Sequence, residues 1–86
     1  MNNYLYGNIE VEAKEFNNSM KNIVFTWVSC NKIADFEDGE EVLRIHTPIG
    51  YKTAKFGDYV IKIKEGIFLV CKKEVFKHNY RRIDGE

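Results

Sequence analysis

The chain has 86 residues, 44% hydrophobic and 14% aromatic. That suits one globular domain and argues against both disorder and a second domain. Its 13 basic and 13 acidic residues cancel, so the basic footprint of generic nucleic-acid binding is missing. Cys30 and Cys71 are the two cysteines. They make neither a disulfide framework nor a zinc site, and each lies in an apolar run that reads as a buried free thiol.

Residues 1–7 form a short leader ending in the turn-capable Gly7. The leader lacks the basic start and long apolar run of a signal peptide, and no stretch approaches the length of a membrane span. The expected location is the cytoplasm. Residues 9–14 alternate strictly. Ile9, Val11 and Ala13 fall on the core face of a strand, and Glu10, Glu12 and Lys14 on the solvent face. Asn17, Asn18 and Ser19 offer helix N-cap oxygens. Met20, Ile23, Val24, Trp27 and Val28 then follow at the spacing of an amphipathic helix. Phe25 falls away from that stripe and is free to pack at an edge or face a partner.

Residues 31–41 are polar, with Asp38-Gly39 as a turn signal. Ile33, Ala34 and Phe36 suggest a short strand before it. Val42 to Thr47 reads as a strand with Leu43 and Ile45 inward and Val42, Arg44 and His46 outward. Pro48 to Gly50 turns the chain, and Tyr51 to Ala54 returns. After a second turn at Phe56-Gly57-Asp58, Tyr59 to Lys64 and Ile67 to Lys72 flank Glu65-Gly66, which predicts a hairpin. Lys73 to His78 predicts one helical turn with Val75 and Phe76 inward. Tyr80 to Ile83 suits a last strand, and the tail 84–86 reads as loose. The fold class is therefore α+β: a mostly antiparallel, twisted sheet packed on one amphipathic helix.

No nucleophile signature, phosphate loop or metal-ligand spacing is present, so no cofactor is expected. A small hydrolase built on Asp58, His46 or Glu41 has no motif behind it. Binding features are stronger. Arg44 and His46 share an outer strand face, and Tyr51 and Lys52 lie across the next turn. Lys62 belongs to a nearby strand in the register opposite to Tyr59, and Tyr80, Arg81 and Arg82 cluster at the end. Aromatic planes beside guanidinium groups can stack a base and neutralise a phosphate. Acids lean toward the N-terminal half and bases toward the C-terminal half. That implies a more positive face, unless the opposite charges simply pair.

From Phe56 to Arg81 the chain resembles a family of small phage- and prophage-encoded proteins. The residues that carry this are Gly57-Asp58-Tyr59 with Ile61-Lys62, then Gly66 and Phe68, then Cys71-Lys72, then Phe76 and Tyr80. Ile9 to Phe16 is similar to that family's first strand, and Thr47 with Gly50 to its mid-chain hairpin. The chain departs from the pattern at Phe56, Val70 and Lys73, where the family has prolines. It also departs at Ile67 and Leu69, which replace an acidic residue and a tyrosine. The resemblance implies a non-enzymatic phage accessory protein acting in the host cytoplasm, and supplies no catalytic residues. The setting suggests an antagonist of host defence that sequesters a small nucleotide-type signal through Arg44, His46, Tyr51, Lys52, Tyr59, Lys62, Tyr80, Arg81 and Arg82. The alternative is a protein–protein inhibitor with an exposed apolar or acidic patch around Phe25, Glu37, Asp38, Glu40 and Glu41. A homo-oligomer is open in either case, because a domain of this size buries little surface alone.

Overall fold

The computed structural model describes residues 3–29 and 31–83. The expectations for Cys30, for the first two residues of the leader and for the tail lie outside them. The described chain runs β1 (Asn3–Tyr6), β2 (Ile9–Glu15), α1 (Lys21–Trp27), β3 (Lys32–Glu37), β4 (Glu40–Thr47), β5 (Gly50–Lys55), β6 (Tyr59–Lys64), β7 (Ile67–Cys71), α2 (Lys73–Asn79) and β8 (Arg81–Arg82). All pairings are antiparallel. The α+β class holds, and the strands divide between two sheets. One has the order β7-β6-β2-β1-β8 and the other β3-β4-β5.

The five-stranded sheet is apolar on both faces. On one face Val11, Ala13 and Ile61 pack with Phe76 of α2, flanked by Tyr4, Tyr59, Leu69, Cys71 and Tyr80. On the other, Val60 and Phe68 join Val24 and Val28 of α1, Leu43 and Ile45 of β4, Ala54 of β5, and Phe16. This second cluster holds the two sheets and α1 together. Phe68 is fully buried, with the Trp27 ring edge-on at 5.4 Å.

Several local expectations are refined. The leader supplies β1, because Tyr4 and Tyr6 recur at the strand period and pair with Val11 and Ile9. The 73–79 segment makes a full seven-residue helix, and Phe76 and Tyr80, four residues apart, lie against each other. In α1 the buried arc is Val24 and Val28 with Met20 and Trp27, while Ile23 is 53% exposed. Ile23 sits about 100° round the helix from Val24, and two turns bury only a narrow arc. None of the three expected residues caps α1, whose N-cap is Met20 with no side-chain bond. Asn17 instead closes the turn before the helix, its Oδ1 accepting the Met20 amide at 2.9 Å and the Ser19 hydroxyl at 3.0 Å.

Asp38 and Gly39, at φ 53° and 81°, form the two-residue turn that joins β3 to β4. Val42 keeps its outward register between Asp35 and Lys55 but is buried at 2%. The ion pair of Lys55 with Glu37 at 3.3 Å joins β5 to β3 on that same face. No helix among the described residues is long and apolar enough to cross a membrane.

Replacing Phe68 by alanine removes the ring at the junction of the two sheets. The expected loss is about 3–5 kcal/mol in urea unfolding. A loss below about 1 kcal/mol would show that the sheets do not depend on this contact.

Candidate functional site

Ala34 and Phe36 lie on the inward side of β3, in register with Leu43 and Glu41 of β4. No strand of the larger sheet is paired to β3, and the short α1 covers only part of this face. The result is a groove of about 350 Å³ between α1 and the β3–β4 hairpin. Phe16 and Leu43 line its buried part, Phe25, Ala34 and Phe36 its open part, and Lys21, Asn22, Asp35 and Glu41 bring the polar groups.

Phe36 is 64% exposed and Phe25 41%. Leaving two phenylalanine rings this open forgoes burial worth about 25 cal/mol per Å², so the groove suits an apolar occupant. Its geometry is held from both sides. Lys21 Nζ of α1 is 2.6 Å from Glu41 Oε1 of β4. Lys32 Nζ donates to the Val28 carbonyl at 2.6 Å and lies 4.7 Å from the centre of the Phe25 ring, a cation–π contact that fixes the ring.

Asp35 marks the solvent side of β3. Its Oδ1 accepts the Phe36 amide at 2.8 Å, and its Oδ2 lies 3.2 Å from Arg44 Nε. The Phe36 amide bond first, and then the Arg44 guanidinium, hold the Asp35 carboxyl below its ordinary range.

The nine residues expected to bind an anion fall into separate regions. Arg44, His46 and Tyr51 share the outer face of the three-stranded sheet, where His46 and Tyr51 meet edge to face at 5.3 Å. Arg44 is engaged there by Asp35, by Glu37 at 4.0 Å, and by the Thr53 hydroxyl at 2.8 Å. Lys52 pairs with Ile45 in the opposite register and so faces the other way. Lys62 is 3.2 Å from Glu65.

Tyr59, Tyr80 and Arg82 come together under α2. Tyr59 stacks on Phe76 at 4.0 Å, Tyr80 stacks on the same helix's Phe76 at 4.7 Å, and Tyr6 follows at 4.9 Å from Tyr80. Arg82 pairs with Tyr4 on that face, and Arg81 with Leu5 on the other. Burial pushes the Tyr59 and Tyr80 hydroxyls up, and likewise the Cys71 thiol.

The residues considered for hydrolysis do not gather. Glu41 and His46 have opposite parity on β4 and face opposite sides of the sheet. Asp58 Oδ2 accepts the Lys55 amide at 3.0 Å in a turn. Among the described residues no group of three His, Cys, Asp or Glu stands close enough to hold a metal ion.

Phe25 and Glu41 were legible as candidates from their misfit to the helix stripe and from the acidic run. Phe16, Lys21, Asn22, Ala34 and Phe36 were not. The available signal was the alternation Lys32, Ala34, Phe36 against Ile33, Asp35, Glu37, which places an aromatic on the side that carries the core. No family model matches the chain, and no curated protein or solved structure matches it.

The folded Asp35 carboxyl titrates below its unfolded value, so its bonds stabilise the hairpin above the unfolded value and are lost as pH falls through the folded one. Carboxyl-carbon NMR should give an Asp35 midpoint below 3.8. Arg44→Gln should raise it part of the way, because the Phe36 amide still donates. A wild-type midpoint at or above 3.8, or no change in the variant, would contradict this origin for the shift.

Proposed function

We propose that this protein acts by non-covalent binding and that its ligand is a protein, engaged through the groove between α1 and the β3–β4 hairpin. The observation that carries the reading is the pair of open rings, Phe25 and Phe36, beside a sheet edge. Aromatic residues around a concave centre, with charged groups at the rim, are the composition of a protein-binding hot spot. Lys21, Glu41 and Asp35 supply that rim.

The resemblance of residues 56–81 to phage-encoded proteins supports a setting: an antagonist of host defence, present in the host cytoplasm, that blocks a component of a defence complex without turning anything over. The open β3 edge also suits a second copy of the chain. A homo-oligomer formed there would compete with the partner for the same groove.

A second reading has one observation in its favour. Tyr59, Phe76, Tyr80 and Tyr6 form a ladder of rings with Arg82 on the same face, and a ring ladder beside a guanidinium can hold a base and a phosphate. Sequestration of a nucleotide-type signal would use this face. Against it, Tyr59 and Tyr80 each already have one face on Phe76, and Arg44, Lys52 and Lys62 are elsewhere.

Capture from phage-susceptible host lysate discriminates. Wild-type protein is expected to retain a stable partner that Phe36→Asp loses, with the variant's unfolding midpoint unchanged. A partner retained equally by the variant, or no partner at all, counts against the groove. Titration calorimetry with cyclic nucleotides and ADP-ribose-type compounds should give no heat. Binding that Tyr80→Ala or Arg82→Ala removes would instead favour the second reading.

A further inference from the structure

The backbone of β3 makes the nature of the partner more specific, on the footing of the protein-binding reading above. The His46 amide donates to the Asn31 carbonyl at 3.0 Å. Asn31 and His46 therefore open a ladder in which every second pair is hydrogen-bonded. In the β3–β4 register the bonded pairs are Ile33 with Arg44, Asp35 with Val42, and Glu37 with Glu40. The N–H and C=O groups of Lys32, Ala34 and Phe36 consequently point away from β4. Among the described residues β3 is an edge strand, so no further strand meets them. The Phe36 amide confirms the direction, since it reaches the Asp35 carboxylate instead of β4. At Lys32 and Ala34 the amides present the pattern that an added strand completes.

Charge narrows the choice. Residues 35–41 contain five acids (Asp35, Glu37, Asp38, Glu40 and Glu41) and no base. Their ion-pair partners are Arg44, Lys55 and Lys21. The hairpin thus keeps an excess of negative charge beside its open edge. An incoming strand alternates its side chains between two sides. One set would enter the groove against Phe25 and Phe36, and the other would lie along Ile33, Asp35 and Glu37.

We propose that the partner docks as an extended segment that pairs with β3 and adds a fourth strand to the three-stranded sheet. Its apolar side chains fill the groove and its lysines or arginines face Asp35 and Glu37. A helix laid in the same groove would leave the Lys32 and Ala34 amides unmatched. A second copy would bring the same acidic hairpin instead of basic groups.

The test uses the full chain and a displayed library of random short peptides, with the selected peptides mapped by NMR. Peptides that alternate apolar and basic residues should be enriched. They should slow exchange of the Ala34 amide by about tenfold or more. They should lose about tenfold or more in affinity with Ala34→Pro, which removes that amide. If Ala34→Pro does not fold, the exchange of the wild-type amide decides alone. Peptides that bind the groove as helices, leaving Ala34 exchange unchanged, overturn the added strand while leaving protein binding in place. Enrichment of acidic peptides overturns the charge assignment. Peptides that bind only elsewhere, or no enrichment, overturn both this inference and the groove. A concentration-dependent dimer that protects Ala34 without peptide gives the edge to a second copy and overturns the inference.

Discussion

The structure depends on a mismatch in length between one helix and one sheet. At seven residues α1 is about 10 Å long, whereas β4, with eight residues, runs about 27 Å. A helix that short cannot roof three strands. It lies over Leu43, Ile45 and Ala54 together with Phe68 of the larger sheet, and these form the dry centre. The inner face of β3 is left over, and the groove is that remainder. The same limit explains why Phe25 stands outside the buried arc of α1 and why Phe36 projects into open space.

The outer face of the small sheet obeys a different rule. Across it run Asp35 and Glu37 on β3, Arg44 on β4, and Thr53 and Lys55 on β5, linked by ion pairs and a hydroxyl bond. Each such pair at the surface is worth little on its own. Their combined effect is positional: Lys55 and Glu37 join β5 to β3, and Arg44 is held flat against the sheet between Asp35 and Thr53. An arginine so engaged must give up these partners before it can neutralise a phosphate. Lys73 with Glu15 at 3.5 Å joins a base of the C-terminal half to an acid of the N-terminal half, as Lys55 with Glu37 and Arg44 with Asp35 also do.

What was readable in advance follows the range of the forces involved. The period-two run of Ile9, Val11 and Ala13, the hairpin around Glu65-Gly66 and the turn at Asp38-Gly39 are set by neighbours within a few residues, and each element formed as the pattern indicates, although Ile9 at the start of β2 is left exposed. The split into two sheets is set by contacts such as Phe68 against Leu43 and Val24, which no local period reveals. Val42 shows the limit most clearly. Its strand parity gives the outward face, yet it is buried at 2%, and burial depends on neighbouring strands that no local period reveals. The candidate site suffered in the same way. The sequence marks Tyr59 and Tyr80 as candidate stacking groups for a ligand, but in the fold both rings stack on Phe76 of α2. The sequence places Phe36 in a short strand, and only the sheet order shows that this strand ends the sheet.

An open edge next to exposed rings invites indiscriminate pairing, and natural sheets carry devices against it. Two are visible. Asp35 occupies the Phe36 amide on one edge of the small sheet, and Asp58 occupies the Lys55 amide on the other. In each case a carboxylate takes up an outward donor that a stray strand would otherwise use. On β5 the guard is completed by a backbone bond, as the Lys55 carbonyl accepts the Asp58 amide at 2.9 Å. On β3 it stops at Phe36. Each edge is guarded at one end only, and what sets β3 apart is the exposed Phe36 ring beside it. This is consistent with an edge kept usable, with acidic residues around it to turn away strands that lack basic side chains.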